Sequence, residues 1–468
     1  MSIFAIDFDR VIKRLAGTSV VFADIFFEEK AVSTLVYENG RVDRVRKGVD
    51  SGIGLRIIKN NRTYYGFTTD MIQSSVDELS TSLLEASSTE AGTVPLMLSS
   101  KFFNNSGIIE IDPSVFDLGD KIDLLKEADD AARCQGSEIT QVRVALMDEK
   151  RRVFQVNSEG SLIDFERTSV TFVTHVTAAR DSILQTGYES AGGQYGMEFF
   201  KDNPVSRIGS CAATRALTML RAPEAPSGRM PVVLSSEAGG TMIHEAVGHG
   251  LELDFVVDNM TVYAGSLGEK IASEVISVKD DPTMPNRRGS YPFDDEGVAS
   301  RPNLLIENGV LTGYMSDRLS ALKKGVSSSG NGRRESYRHK PIPRMSNTLI
   351  LPSKMSADEI LRSTPNGLLV KKMGGGQVNT VNGDFVFEVA EGYLIENGKQ
   401  GPAVRGATLV GNGPKVLQHI DMVASDLGFS IGTCGKDGQG APVSDAQPTL
   451  RIGTPDKPDT WITVGGAA

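Results

Sequence analysis

Residues 244–249 read His-Glu-Ala-Val-Gly-His, and the spacing of the two imidazoles restricts how this part of the chain can fold. Histidine nitrogens bind a catalytic zinc, and a glutamate beside the first histidine can take a proton from the attacking water. The familiar HExxH pattern sets its histidines four apart, about 40° around a helix of 3.6 residues per turn. Five apart, they stand about 140° apart on a regular helix and point away from each other. A shared metal therefore requires an irregular turn such as a π-bulge, and such bulges concentrate at functional sites. Gly248, directly before the second histidine, is the residue expected to tolerate that distortion. A regular helix would do something plainer, pairing Glu245 with His249 on one face. The chain has five histidines, at 175, 244, 249, 339 and 419, so two of them flanking a glutamate is a concentrated signal.

A catalytic zinc takes three protein ligands and keeps a fourth position open. The residues leave the third ligand undecided between Glu252 and Asp254 nearby and His339, His419 and Cys434 at a distance. Cys434 lies in SIGTCGKDGQGAPV, where an apolar run enters a glycine-rich turn that could hold a thiolate rigidly. The other two cysteines, Cys134 and Cys211, are expected to be buried packing residues. Three widely separated cysteines imply no disulfide framework.

At 468 residues the chain has room for roughly two or three domains. Its 40% hydrophobic and 23% charged residues are ordinary for a globular protein. The start, MSIFAIDFDRVIKRL, carries acidic residues where a signal peptide has an apolar core, and no apolar run approaches membrane-spanning length. The expected location is the cytoplasm, without a membrane partner. Lys and Arg number 49 against 59 Asp and Glu, a net charge of −10 that argues against direct contact with nucleic acid.

Helical periodicity covers 7–16, 71–87 and 118–134. Between 20 and 69 the chain reads as a strand meander of short runs (26–27, 34–37, 42–45, 54–58 and 64–67) with turn signals at 38–40 and 59–61. A second strand block spans 139–186, with turns expected at 148–150 and 158–160. Three prolines and a glycine at 221–231 mark a boundary, dividing the chain into 1–222 and a glycine-rich 223–468 that carries the histidine motif. There Leu-Ile-Glu-Asn-Gly occurs at 305–309 and again at 394–398, each an apolar run entering an Asn-Gly hairpin turn. Runs of strands with few helices predict an α+β fold of largely antiparallel sheets, with HExxxH on an irregular helix.

Two glycine-flanked segments are candidates for substrate contact. The loop 330–339 gathers Arg334, Tyr337 and Arg338, groups that could hold a carboxylate or an oxyanion, although a solvated basic loop has the same composition. Gly375 and Gln377, in GGGQ, lack the lysine and serine or threonine of a phosphate loop and suit a backbone constraint or a close approach of substrate. Asp294-Asp295-Glu296-Gly297 could take a hard cation or simply cap a turn.

Several stretches together resemble the TldD branch of the TldD/PmbA family of zinc metallopeptidases, historically called modulators of DNA gyrase. They are HEAVGHGLE (244–252), RRGSYPFDDEG (287–297), LIENGVLTGYMSDRLSA (305–321), GNGRRESYRHKPIPRMSNT (330–348), GGGQV (374–378), YLIENGK (393–399), RGATLVGNGP (405–414) and CGKDGQ (434–439). The resemblance covers nearly all of 230–468 and is weaker before it. It implies His244, His249 and Cys434 as zinc ligands, with Glu245 as the general base acting on a zinc-activated water. It further implies a two-fold dimer, either of identical chains or with an inactive PmbA/TldE-like subunit, whose cavity admits unfolded or short peptides. The inactive branch lacks the histidine motif, which this chain keeps. The implied function is a zinc-dependent peptidase. The alternative is a non-catalytic regulatory subunit that binds gyrase or a toxin.

Overall fold

The computed structural model describes residues 6–91, 97–103 and 109–466. Its first helix, Phe8–Leu15, begins where the Asp7 carboxylate accepts the Arg10 N–H at 3.0 Å, and it buries Phe8, Val11, Ile12 and Leu15 along one face. The strands Phe22–Glu38 and Arg41–Lys59 then pair antiparallel along their length, and Ile139–Asn157 pairs with the other side of the first. Arg62–Thr68, Ser161–Arg180, Ile183–Gly193 and Ser99–Phe103 complete a seven-stranded sheet.

The meander is thus two long strands and one of 7 residues where the sequence suggests five short ones. Asn39, Gly40, Asn60 and Asn61 all have positive φ, as the two expected turns require. No turn occurs at 148–150, which lies inside Ile139–Asn157. Charged residues there look like a turn, yet each has a partner. Asp148 accepts from Lys121 at 2.7 Å, Glu149 pairs with Lys30 at 2.9 Å, and Lys150 lies 3.0 Å from Glu166. Ion pairs to neighbouring strands and, for Asp148, to the helix Leu118–Arg133 keep the strand continuous. The helices Gln73–Ala86 and Leu118–Arg133 match expectation. Val205–Arg221 is a further helix, packed so closely on the latter that a Cβ on Gly209 would lie 2.2 Å from the Ala128 carbonyl oxygen.

Beyond it stand a nine-stranded and a six-stranded sheet. The first contains Val232–Leu234, Asn366–Val378 and Asp384–Glu396; the second ends in Asn347–Ile350, Gln439–Gln447 and, at its edge, Gly428–Lys436. Pairing is antiparallel except between Val232–Leu234 and Asn366–Val378, between Asn347–Ile350 and Gln439–Gln447, and between Ser99–Phe103 and Ser161–Arg180. Both Leu-Ile-Glu-Asn-Gly segments turn hairpins, with Asn308, Gly309, Asn397 and Gly398 at positive φ. The fold is α+β with mainly antiparallel sheets, and among the described residues no helix is long and apolar enough to cross a membrane.

One apolar core draws its buried members from between Ala225 and Val464, while two others lie within residues 6–220. A small cluster of Phe26, Val153, Ile163, Phe165, Phe293 and Tyr337 joins the halves. Around it runs a seam of buried charges. Arg56, with no exposed side-chain surface, bonds to Asp24 and to Glu296, each at 2.6 Å. Arg334 donates to the Asp295 carbonyl at 2.7 Å and lies 4.1 Å over the Phe26 ring, while Arg151 pairs with Glu28. Removing one member of a buried pair strands the other's charge in low dielectric. Arg56→Ala is therefore expected to lower stability by about 3–5 kcal/mol, read as a fall in the urea midpoint. Arg10→Ala, which breaks an exposed pair with Asp77, should cost about 1 kcal/mol or less. Equal shifts would show that the seam does not hold the halves together.

Candidate metal centre

The strand Val232–Leu234 ends at Ser235, whose hydroxyl accepts the Glu237 N–H at 3.2 Å and starts a short 3-10 turn. The chain then doubles back over the strand Gln439–Gln447, so close that a Cβ on Gly240 would lie 2.4 Å from the Ala446 nitrogen. A helical turn at Thr241–Ile243 widens into a π turn over His244–Gly248, in which the His249 N–H donates to the His244 carbonyl. The irregular turn that the spacing requires is present. A bond from residue i to i+5 brings residues five apart onto one face, and the two imidazole centres lie 5.1 Å apart with their planes at 88°.

Gly248 serves this turn differently from the sequence expectation. Its φ of −52° and ψ of −58° are ordinary for a helix, so no special backbone freedom is used. A Cβ there would lie 2.0 Å from Met345 Sδ, so what the turn needs is space. Tyr263, buried beneath, donates its hydroxyl to the Ala246 carbonyl at 3.0 Å.

Each imidazole is held by a carboxylate at Nδ1. Asp445 lies 2.8 Å from His244 Nδ1 and Glu252 lies 3.0 Å from His249 Nδ1. With Nδ1–H committed to a carboxylate, Nε2 keeps its lone pair for a metal. Cys434 Sγ is 3.4 Å from His249 Nε2, and the three ligand atoms of His244, His249 and Cys434 all lie within 4.8 Å of one another. Among the described residues this is the one such cluster. Two imidazoles and a thiolate form a borderline-soft, three-donor set with room for a fourth group, which suits zinc.

The other third-ligand candidates lie elsewhere. Glu252 backs His249, and Asp254 is bound to Lys436 at 2.8 Å. His339 contacts Ser336 at 3.1 Å, and His419 lines a separate groove.

Charge at this site is set by opposing terms. Burial pushes the Cys434 thiol up, but its two histidine neighbours outweigh this and bring it down to about 5. Burial pulls His249 down, but Glu252 and Cys434 push it up to about 10, and Asp445 and Cys434 likewise hold His244 well above its usual range. Glu252, although fully buried, is held down at about 2 by Lys436 and His249. Glu245 goes the other way: burial raises it, against the two histidines.

Glu245 shares a cavity of about 290 Å³ with both histidines and Cys434. Its opposite wall comes from the first half of the chain, through Tyr188 and Glu189, and from Lys372, which pairs with Glu189 at 2.9 Å. That contribution is invisible in the sequence, as is Asp445, 201 positions from His244. Lys436 had a signal, since it stands two residues after Cys434 and so on the same face of a strand.

The candidate substrate residues do not line this cavity. Arg334 and Tyr337 lie in the seam, where the Tyr337 hydroxyl donates to Asp50 at 2.9 Å, and Arg338, exposed beside it, pairs with the same carboxylate. Gly375 is exposed with nothing near it, and Gln377 lines the separate groove of about 770 Å³. The turn at Asp294 is capped, its carboxylate accepting the N–H groups of Glu296, Val298 and Gly332 at 2.9–3.0 Å. Cys134 is exposed and Cys211 partly so, because each sits on a helix flank and not in a core.

In metal-free protein, Cys434 should react with iodoacetamide down to about pH 5, far below an ordinary thiol, because the thiolate persists above its lowered pKa. Peptide mass mapping of the alkylation rate against pH checks this, and a half-point near 8.5 would contradict it.

Residues 227–455 match the family model described as the PmbA/TldA metallopeptidase C-terminal domain, 111–220 the central domain and 23–87 domain 1. A "Metalloprotease TldD homolog" of Haemophilus influenzae is 36% identical over 97% of this chain and 94% of its own length. A "Zinc metalloprotease TldD homolog" of Saccharolobus solfataricus is 26% identical over 95% of this chain and 98% of its own. In fold, the chain is similar to TldE from Thermococcus kodakarensis, with a TM-score of 0.73 at 20% identity, covering 95% of this chain and 99% of that one. With three consecutive family models and full-length relatives in agreement, the chain belongs to the TldD branch of the PmbA/TldD family of metallopeptidases.

Proposed function

We propose that the chain is a zinc-dependent peptidase acting on unfolded or short peptides, with His244, His249 and Cys434 as metal ligands and Glu245 as general base. The observation that carries this reading is the π turn, which turns two histidines five apart toward one thiol. A zinc ion held there would polarise the substrate carbonyl and lower the pKa of the attacking water. Asp445 and Glu252 keep the Nδ1 protons and leave each Nε2 free. Glu245, made more basic by burial, takes the water's proton and returns it to the leaving amine.

The cavity wall supports this substrate class. Gly428–Lys436 ends its sheet, paired on one side only with Gln439–Gln447, and residues 429–435 line the cavity. An extended peptide could add there strand to strand, read mainly through its backbone. Folded proteins rarely offer unpaired backbone of that kind. The two-fold assembly implied by the family resemblance is part of this reading, and sedimentation of the chain alone and with a TldE-like partner tests it.

Purified protein should hold about one zinc per chain, lost in His244→Ala/His249→Ala. Cys434→Ser should lose more zinc than Glu252→Ala, since a neutral hydroxyl is a poor zinc ligand. Glu245→Gln should keep its zinc and fold while losing ~10²–10⁴-fold of its activity on an unfolded peptide. Near wild-type turnover in that variant would remove Glu245 from the mechanism.

A further inference from the structure

One strand addresses both nitrogens of His249. From Gly428–Lys436, Cys434 Sγ lies 3.4 Å from His249 Nε2. Two residues on, and so on the same face, Lys436 Nζ lies 3.1 Å from Glu252 Oε2, the oxygen that His249 Nδ1 contacts at 3.0 Å. The Lys436 and Glu252 side chains are 3% and 0% exposed. Burying an ammonium so fully is costly unless its donors are used. Here they are, because Lys436 also bonds to Asp254 at 2.8 Å and to the Pro343 carbonyl at 3.1 Å, 4.3 Å over the Phe255 ring. Glu252 Oε1, by contrast, is buried with no hydrogen-bond partner. The whole hold of Glu252 on the imidazole therefore passes through the oxygen that Lys436 pins.

We propose that Lys436 is a positioning residue for the metal centre: through Glu252 it fixes the rotation and tautomer of the His249 ring. This rests on the reading of His244, His249 and Cys434 as zinc ligands. A carboxylate released from Lys436 is free to turn, and the imidazole then loses the contact that aims Nε2 at the metal. The register of a single strand thus sets the thiolate ligand and the orientation of its neighbouring imidazole together. A purely structural Lys436 would neutralise Glu252 and Asp254 without affecting the ligand geometry.

The two roles separate in metal titrations of the metal-free full-length chain. Zinc affinity is measured against a chromophoric chelator, and the absorption spectrum is recorded with Co²⁺. Lys436→Met is expected to weaken zinc binding about 10–100-fold. It should keep the sulfur-to-cobalt charge-transfer band of Cys434 while shifting the visible ligand-field bands. Lys436→Arg should recover most of the affinity. Glu252→Gln should weaken binding to a similar degree, and the double variant should be no worse than the weaker single, since both cut the same chain of contacts. If Lys436→Met does not fold, Glu252→Gln decides, because it leaves Lys436 held by Asp254 and Pro343. Wild-type zinc affinity and an unchanged cobalt spectrum in the folded variants would overturn the proposal, even with a lowered melting temperature. A wild-type chain that takes up no zinc would remove the metal reading itself.

Discussion

The bond from the His249 N–H to the His244 carbonyl decides whether the two imidazoles can face one thiol. Closed one residue earlier, as in an α-helix, the turn would send the imidazoles apart. A π turn is a poor structure on its own, so the surroundings must favour it. Met242, Ile243, Ala246 and Val247 are buried at 4% exposure or less, which fixes the apolar side of the turn in the core. Met345 occupies the space beside Gly248, and Tyr263 satisfies the Ala246 carbonyl. The turn is thus favoured by its own apolar side and by Met345 and Tyr263 from two other stretches of chain.

The same physics recurs wherever this protein buries charge. At the His244, His249 and Cys434 cluster carboxylates hold imidazoles, and in the seam carboxylates hold guanidinium groups. In each case an ionised side chain leaves water only where several partners replace it. Arg56 and Arg334 face Asp24 and the Asp294–Glu296 turn. Lys436 faces Glu252 and Asp254. The difference lies in what the pairing serves, since the seam joins the two halves while the cluster fixes two imidazole rings.

That difference explains what could be read from the sequence. Helices with apolar periodicity and hairpins with Asn-Gly turns depend on neighbours in the chain, so residues 73–86, 118–133 and both Leu-Ile-Glu-Asn-Gly hairpins were legible. The histidine pair was legible because its spacing is wrong for a regular helix. Residues 148–150 suggested a turn because a charge's partner on another element cannot be seen from its own segment. Arg334 suggested a binding loop for the same reason. In composition a buried arginine pinned by distant carboxylates is indistinguishable from a solvated one. Asp445 carried no local signal at all.

The cavity shows why the halves cannot be considered separately. Its far wall, Tyr188 and Glu189, belongs to the strand Ile183–Gly193 of the first half. Glu189 binds Lys372 at 2.9 Å and Arg215 at 3.1 Å, and Arg215 binds Glu391 at 2.7 Å. The Tyr188 hydroxyl reaches the Met373 carbonyl at 2.9 Å. These bonds tie the wall to Asn366–Val378, the strand hydrogen-bonded to Val232–Leu234, from which the chain enters the π turn. His244, His249 and Cys434 come from the second half, while Tyr188, Glu189 and Ser190 of the first half help line the cavity around them. Charges remote from the histidines therefore shape the site by holding its far wall in place.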